Sequence, residues 1–447
     1  MSHSKLIPMR LHVSIIFAFA CLTRLSAPMG AQQPDSHAGM AGMSMPDSTA
    51  KNRWHVMAQL IPVLTHAAHT AGDADFTEGY LAQSVLMARG SFWRGHAQLD
   101  ATLNGEGITM ARGELSTGGF GEGFIDRRHP HAYLHELVLS GVDSIRSLGY
   151  SVSAGRGFAP FGTDDPMMRP FEKYPINHHL AQILERGLII GAIRAGRVIL
   201  EGSTFAGEEP TSPSSLPRMR RFGDSWSMRF TVLPAPGAEV QASYARVESP
   251  EQPSGFGLDQ RKQSVSGRLV SKDGARYLLA EWARTAEWDG DRNVEAFTYA
   301  SGLAEGAFMV GPLGIALRLE QTGRPEEERL ADPFRTPRPA SDLSIAGITR
   351  WRVATLALTL PSVTPGPVRG YPFVEFARLS ASSTAPTSVF SPAQLYGDRA
   401  PWMGSVGFRL RYGPQHARMG RYGVAITDGP PLRVLGVSSD STQAHHH

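Results

Sequence analysis

The chain has 447 residues, with 44 Lys and Arg against 41 Asp and Glu for a formal charge of +3. After residue 32 no run reaches the roughly 18 apolar residues that a membrane-spanning helix needs, which excludes a helical membrane protein; no segment has the form of a nucleic-acid-binding module, so the basicity, carried by arginine, does not imply such a partner. The 47 Gly and 32 Pro call for many turns and little helix.

The start reads as an export signal. Lys5 and Arg10 precede an apolar run from Leu11 to Leu22, and small residues at Ala27 to Ala31 offer a cleavage site. Residues 1–31 are therefore expected to be a signal peptide. Cys21, the one cysteine, falls inside or just after the apolar run, and a lipid anchor there is the alternative to cleavage after Ala31. With cleavage the mature chain has no disulfide, so its stability must come from a sheet. Residues 32–52 form a polar, small-residue leader expected to be disordered. Within it His37, Met40, Met43 and Met45 bring imidazole and thioether ligands that suit copper, Cu(I) above all.

From residue 53 onward the dominant signal is period-two alternation. Leu99, Ala101 and Leu103 alternate with Gln98, Asp100 and Thr102, a pattern that begins at Trp93 and Arg94. Ser225, Ser227, Arg229 and Thr231 alternate with Trp226, Met228, Phe230 and Val232; after a turn at Pro234 to Gly237, Glu239, Gln241 and Ser243 alternate with Val240, Ala242 and Tyr244. Leu317 and Leu319 against Arg318 and Glu320, and Val406, Phe408 and Leu410 against Ser405, Arg409 and Arg411, continue it. Each strand thus has an apolar face and a face of Arg, Glu, Ser and Thr. Candidate strands lie at 54–66, 80–90, 92–103, 131–140, 147–157, 187–196, 197–206, 225–233, 238–247, 262–271, 275–286, 293–304, 312–320, 346–360, 369–380 and 403–412, about sixteen within a range of 14–18. Tight turns, as at Asn104 to Gly107 and Lys272 to Gly274, alternate with long polar loops at 207–223, 248–261, 321–343 and 381–401. The aromatics Trp226, Trp282, Trp351 and Tyr412 fall near strand ends, where an interfacial girdle is expected. A soluble exported β-sandwich is the competing architecture.

Two further segments carry chemistry. His129, His131 and His135 share one face of an extended chain, so they are secondary metal candidates beside ordinary hydrogen bonding. The segment 157–186 holds four aromatics, four prolines and balanced charge; Asn177 is expected to cap a short helix presenting Leu180, Ile183 and Leu184 on one face. Its candidate constriction residues are Asp164, Asp165, Arg169, Glu172, Lys173, His178 and His179. A plug or rim loop with no selectivity role is the alternative.

These features resemble those of bacterial outer-membrane porins, and the start of the segment, Gly157-Phe158-Ala159-Pro160-Phe161-Gly162, is similar to a phrase of phosphate-selective and related porins. The leader resembles the Met- and His-rich leaders of copper-resistance outer-membrane proteins over about ten residues. The expectation is an all-β, transmembrane antiparallel barrel over residues 53–426 with an inward-folded loop and a tail over 427–447. It would sit in the bacterial outer membrane among lipid and pass small polar or anionic solutes, with a homotrimer as the implied assembly. The alternative is copper handling by the leader, with a copper ion as the implied ligand. No Gly-x-Ser-x-Gly nucleophile turn, phosphate loop or dinucleotide fingerprint occurs, so neither an enzyme nor an organic cofactor is expected. Either Met419 to Ile426 supplies a final strand or the tail is unusual, and His445 to His447 are given no role.

Overall fold

The computed structural model describes residues 53–69, 75–109, 131–163, 166–210, 212–250, 252, 254–327, 345–363, 366–384, 400–413, 418–427, 429 and 432–435. All of these belong to one compact unit spanning Gly42–Ser439. The signal segment, the leader with His37, Met40, Met43 and Met45, the ligand candidate His129 and the loop acids Asp164 and Asp165 lie outside the described residues.

The alternating segments fold into sixteen antiparallel strands: β1 Arg53–Ala68, β2 Phe76–Phe92, β3 Ala97–Asn104, β4 Leu134–Ile145, β5 Leu148–Gly157, β6 Arg186–Ala195, β7 Val198–Phe205, β8 Ser225–Val232, β9 Ala238–Val247, β10 Asp259–Val270, β11 Arg276–Asp289, β12 Val294–Val310, β13 Leu313–Glu327, β14 Ile345–Thr359, β15 Val368–Ser383 and β16 Trp402–Tyr412. Each pairs with its neighbours in sequence, and β1 pairs with β16 from Ala58↔Tyr412 to Ala68↔Trp402, closing the barrel. Closure satisfies the two backbone edges that an open sheet would leave in lipid. At the end that also holds the start of β1 and the end of β16 no connection exceeds eight residues; the long connections lie at the other, together with the short β11–β12 turn. In a barrel of this kind the turn end faces the periplasm.

Burial follows the alternation, with the usual sense inverted. On β10, Val265 is 49% exposed while Ser264 and Ser266 are buried; on β13, Leu317 and Leu319 are exposed while Arg318 is 0% exposed. Apolar side chains therefore cover the outside and polar ones fill the inside, as lipid and a polar lumen require. Trp226 and Trp282 point outward as expected for a girdle, but Trp351 is fully buried in the lumen beside Val353, Leu379 and Met403.

Several boundaries differ from the sequence reading, each for a local reason. Residues 93–96 form the β2–β3 turn, where Trp93 and Arg94 take positive φ, so β3 starts at Ala97. Asn104 to Gly107 is no tight hairpin: Asn104 Nδ2 donates to Glu106 Oε2, and the chain continues into the long β3–β4 connection. β13 runs on to Glu327 inside what reads as a loop, because β14 supplies partners as far as Ile345. The helix near Asn177 is one turn, α1 His178–Ala181, without a side-chain cap; Asn177 is drawn instead to Glu281.

Candidate functional site: a lumen crossed by a loop and a tail

The third connection at the loop end, residues 158–185, enters the barrel. Its polar groups are held by side chains on strands around most of the circumference. Gln83 on β2 donates to the Phe171 and Glu172 carbonyls at 3.0 and 2.8 Å. The Glu172 amide donates to Glu375 on β15 at 2.7 Å, and the Ile176 amide to Glu320 on β13 at 2.9 Å. On β11, Glu281 accepts from Thr163 at 2.6 Å and from Asn177 at 2.7 Å, while Arg318 on β13 donates to the Lys173 carbonyl at 2.8 Å. Such charge-assisted bonds stabilise a loop whose own backbone makes little regular structure.

Of the expected constriction residues, the structure brings Arg169, Glu172, Lys173 and His178 into the lumen, all buried. Arg169 lies 3.8 Å from Glu281 and 3.7 Å from Glu305. Lys173 contacts the Tyr80 hydroxyl and is 3.5 Å from Glu172. Burial holds its amine well below the usual lysine range, against the pull of Glu375 and Glu78. Nothing is described of the His179 side chain.

The second insert is absent from the sequence reading. Met419 to Ile426 supplies no strand; after β16 the chain returns through the lumen, with Arg418, Met419, Arg421, Tyr422 and Ala425 buried. Arg421 donates to Glu239 at 2.5 Å, Gln241 at 2.7 Å and Thr231 at 3.2 Å and lies 3.4 Å from Glu201. Burial and the neighbouring Arg229 lower it to about 10, which leaves it charged at neutral pH. Arg418 adds a second ion pair to Glu239 at 2.7 Å. The Tyr422 hydroxyl donates to Glu136 on β4 at 2.6 Å and accepts from the Phe158 amide at 3.0 Å, so one side chain joins tail, loop and wall. Burial and Glu136 push this hydroxyl well above the ordinary tyrosine value, so it remains a donor. Farther on, Leu432, Val434 and Leu435 pack with Phe171, Tyr277 and Leu279.

The third feature joins His131 and His135 with residues from the end of the loop. A register shift between Thr102 and Leu103 places His135 and Glu136 both inside. His135 Nδ1 is 2.5 Å from Glu185 Oε1, which also accepts from the Ala132 amide at 2.8 Å. His131 Nε2 lies 3.4 Å from His178 Nε2, and His131 Nδ1 lies 3.7 Å from Glu106. Burial pushes the Glu185 carboxyl up, but His135, His131 and Arg156 outweigh it and hold it below the usual range. Burial dominates at Glu106 and raises it.

Sequence reasoning missed Glu185, Arg418, Arg421, Tyr422 and the wall anchors Gln83, Glu281, Glu320 and Glu375. Glu281, Glu320 and Glu375 stand as charges on the lumen-facing side of alternating strands, whereas Gln83 is neutral and lies at a bulge where Ala82 and Gln83 are both buried; the partners of all four were not visible. The tail offered one signal, two arginines and a tyrosine among glycines after the last alternating strand.

Closed, antiparallel, apolar outside and charged within, the chain is a membrane-spanning β-barrel of porin-like form. Among solved structures it is similar to the anion-selective porin from Comamonas acidovorans, at 12% identity over 81% of this chain and 100% of that one with a TM-score of 0.49. It is also similar to the outer membrane channel DcaP of Acinetobacter baumannii (10% identity, 84% and 100% covered, TM-score 0.48) and to Salmonella typhi OmpF in complex with daunomycin (10%, 81% and 98%, 0.47). The identities are too low to extend a solute or an assembly state to this chain. No protein-family profile and no curated protein matches it. Nothing in these matches supports the likeness of the leader to copper-resistance proteins.

Proposed function

We propose that the protein is a passive outer-membrane channel for small polar solutes whose lumen is closed, in the state described, by residues 158–185 and by the returning tail. The observation that carries this reading is the Arg421 anchorage: a residue beyond the last strand reaches carboxylates on β7 and β9 from within the lumen. Opening requires the tail or the loop to leave its sites, and the polar wall behind them is what a solute would then meet. Buried arginines here face glutamates, as Arg229 faces Glu201 at 2.7 Å and Arg318 faces Glu320 at 3.1 Å. Such pairing favours polar solutes generally over anions in particular. The reading assigns no catalytic step.

Liposome swelling tests it. Vesicles carrying the full chain should admit a small uncharged sugar slowly, and vesicles carrying Arg421→Ala should admit it faster. Inserted protein that admits no solute in either form would overturn the reading.

A further inference from the structure

His131, His135 and Glu185 each offer a ligand atom, and the three atoms lie within 4.8 Å of one another in a fully buried setting. His178 adds a fourth candidate, because its Nε2 is 3.4 Å from His131 Nε2. That spacing is informative. Two imidazoles bound to one tetrahedral zinc at about 2.0–2.1 Å put their nitrogens roughly 3.3–3.4 Å apart. The ring nitrogens of His131 and His178 therefore already stand at the separation of neighbouring ligands. Behind His131, Glu106 lies 3.7 Å from Nδ1, the place of the carboxylate that orients a metal-binding imidazole. Arg156, 3.7 Å from Glu185, meets one of the two buried carboxylates, and a dication among the three imidazoles would offset the remaining charge where water is excluded.

We propose that these residues form a binding site for a divalent transition-metal ion of the zinc or copper type, with His131, His135 and His178 as imidazole ligands and Glu185 as the carboxylate. Nitrogen-rich ligation selects these ions over calcium and magnesium, which take oxygen ligands. His135 and Glu185, 2.5 Å apart, must separate by under an ångström to share one ion. The ion would staple the end of the lumen loop, which supplies His178 and Glu185, to the entry of β4, which follows His131. The site stands apart from the leader and does not depend on the channel reading.

The test uses the full folded chain in detergent, with alanine at His445, His446 and His447 so that the terminal triplet does not compete. Metal is stripped with a chelator and Zn²⁺ is titrated calorimetrically, with bound metal counted by elemental analysis. The expected result is one more zinc per chain than in His131→Gln/His135→Gln, and at least a tenfold weaker affinity in Glu185→Gln. Folding of each variant is checked by heat-modifiable migration. X-ray absorption at the zinc edge of the chain with unaltered lumen residues gives a reading that needs no lumen variant: a nitrogen and oxygen shell with imidazole scattering supports the site. A sulfur shell, which would put the metal on the methionine leader, or equal zinc binding in parent and folded variants, would overturn it.

Discussion

Arg421 and Glu239 meet at 2.5 Å inside the barrel, although 182 positions separate them in sequence. The contact fixes where the tail lies, and it couples the end of the chain to a strand in the middle of the wall. Glu239 also binds Arg418, and Glu201 also binds Arg229, so the tail completes a network that the wall alone leaves open.

Tyr422 is the hinge between the two inserts. Replacing it by Phe removes a donor from Glu136 and an acceptor from the Phe158 amide, at a cost of about 1–3 kcal/mol for buried groups left unsatisfied. Tryptic cleavage after Arg418 and Arg421 should accelerate about five- to 150-fold, since cleavage follows the released fraction. Because burial keeps the hydroxyl protonated, the ratio should be the same at pH 6 and pH 9.

Gly423 has φ +55°, and a methyl group there would strike the Ser151 side chain. Gly423→Ala should therefore release the tail, with left-handed strain of about 1–2 kcal/mol added to the clash. Gly267→Ala, where an added methyl meets nothing within 4 Å, should leave tail protection unchanged. Protease protection of the tail separates the two variants, and equal protection would contradict the placement.

Lys173 gives the lumen loop a pH dependence. Its amine faces Tyr80 and Glu78 on β2, Glu375 on β15 and Glu172 on its own loop. Burial places its docked value below the ordinary lysine value of about 10.4, so between the two the released loop binds more protons. Docking should thus strengthen as pH rises through that window and level off below the docked value. Closed dwell times at pH 10.5 should exceed those at pH 7, and Lys173→Met should flatten that difference; an unchanged slope would show that another group is responsible.

Val265 tests the outer face. Arginine at this exposed β10 position should destabilise the barrel in lipid vesicles by about 2–4 kcal/mol if the site lies near the bilayer centre, as urea titration of folding would show. No loss in vesicles would place this face outside the lipid.

The wall was legible because each strand states its own two faces. Leu317 and Leu319 against Arg318 and Glu320 specify which solvent each side meets without knowledge of any neighbour, and register follows from hairpin order. The loop was legible as an insert from its aromatics and prolines. What attaches it was not, because Glu281, Glu320 and Glu375 become anchors only when a distant segment brings amides to them. The tail was harder still: Arg418 and Arg421 follow no period, and their partners lie on β7 and β9. The histidine group was half visible. His131 and His135 suggested ligands by spacing, whereas Glu185 and His178 join them only through the fold of the loop.

Single-channel recording of Arg421→Ala beside the unaltered chain tests the central claim most directly. Removing the guanidinium leaves Glu201 and Glu239 without one of their buried partners, a loss of order 3–5 kcal/mol to the docked tail. The unaltered barrel should be closed for most of the record, and in the variant the ratio of open to closed time should rise about 150- to 5,000-fold. An inserted Arg421→Ala barrel whose trace matches that of the unaltered chain would contradict closure by the tail.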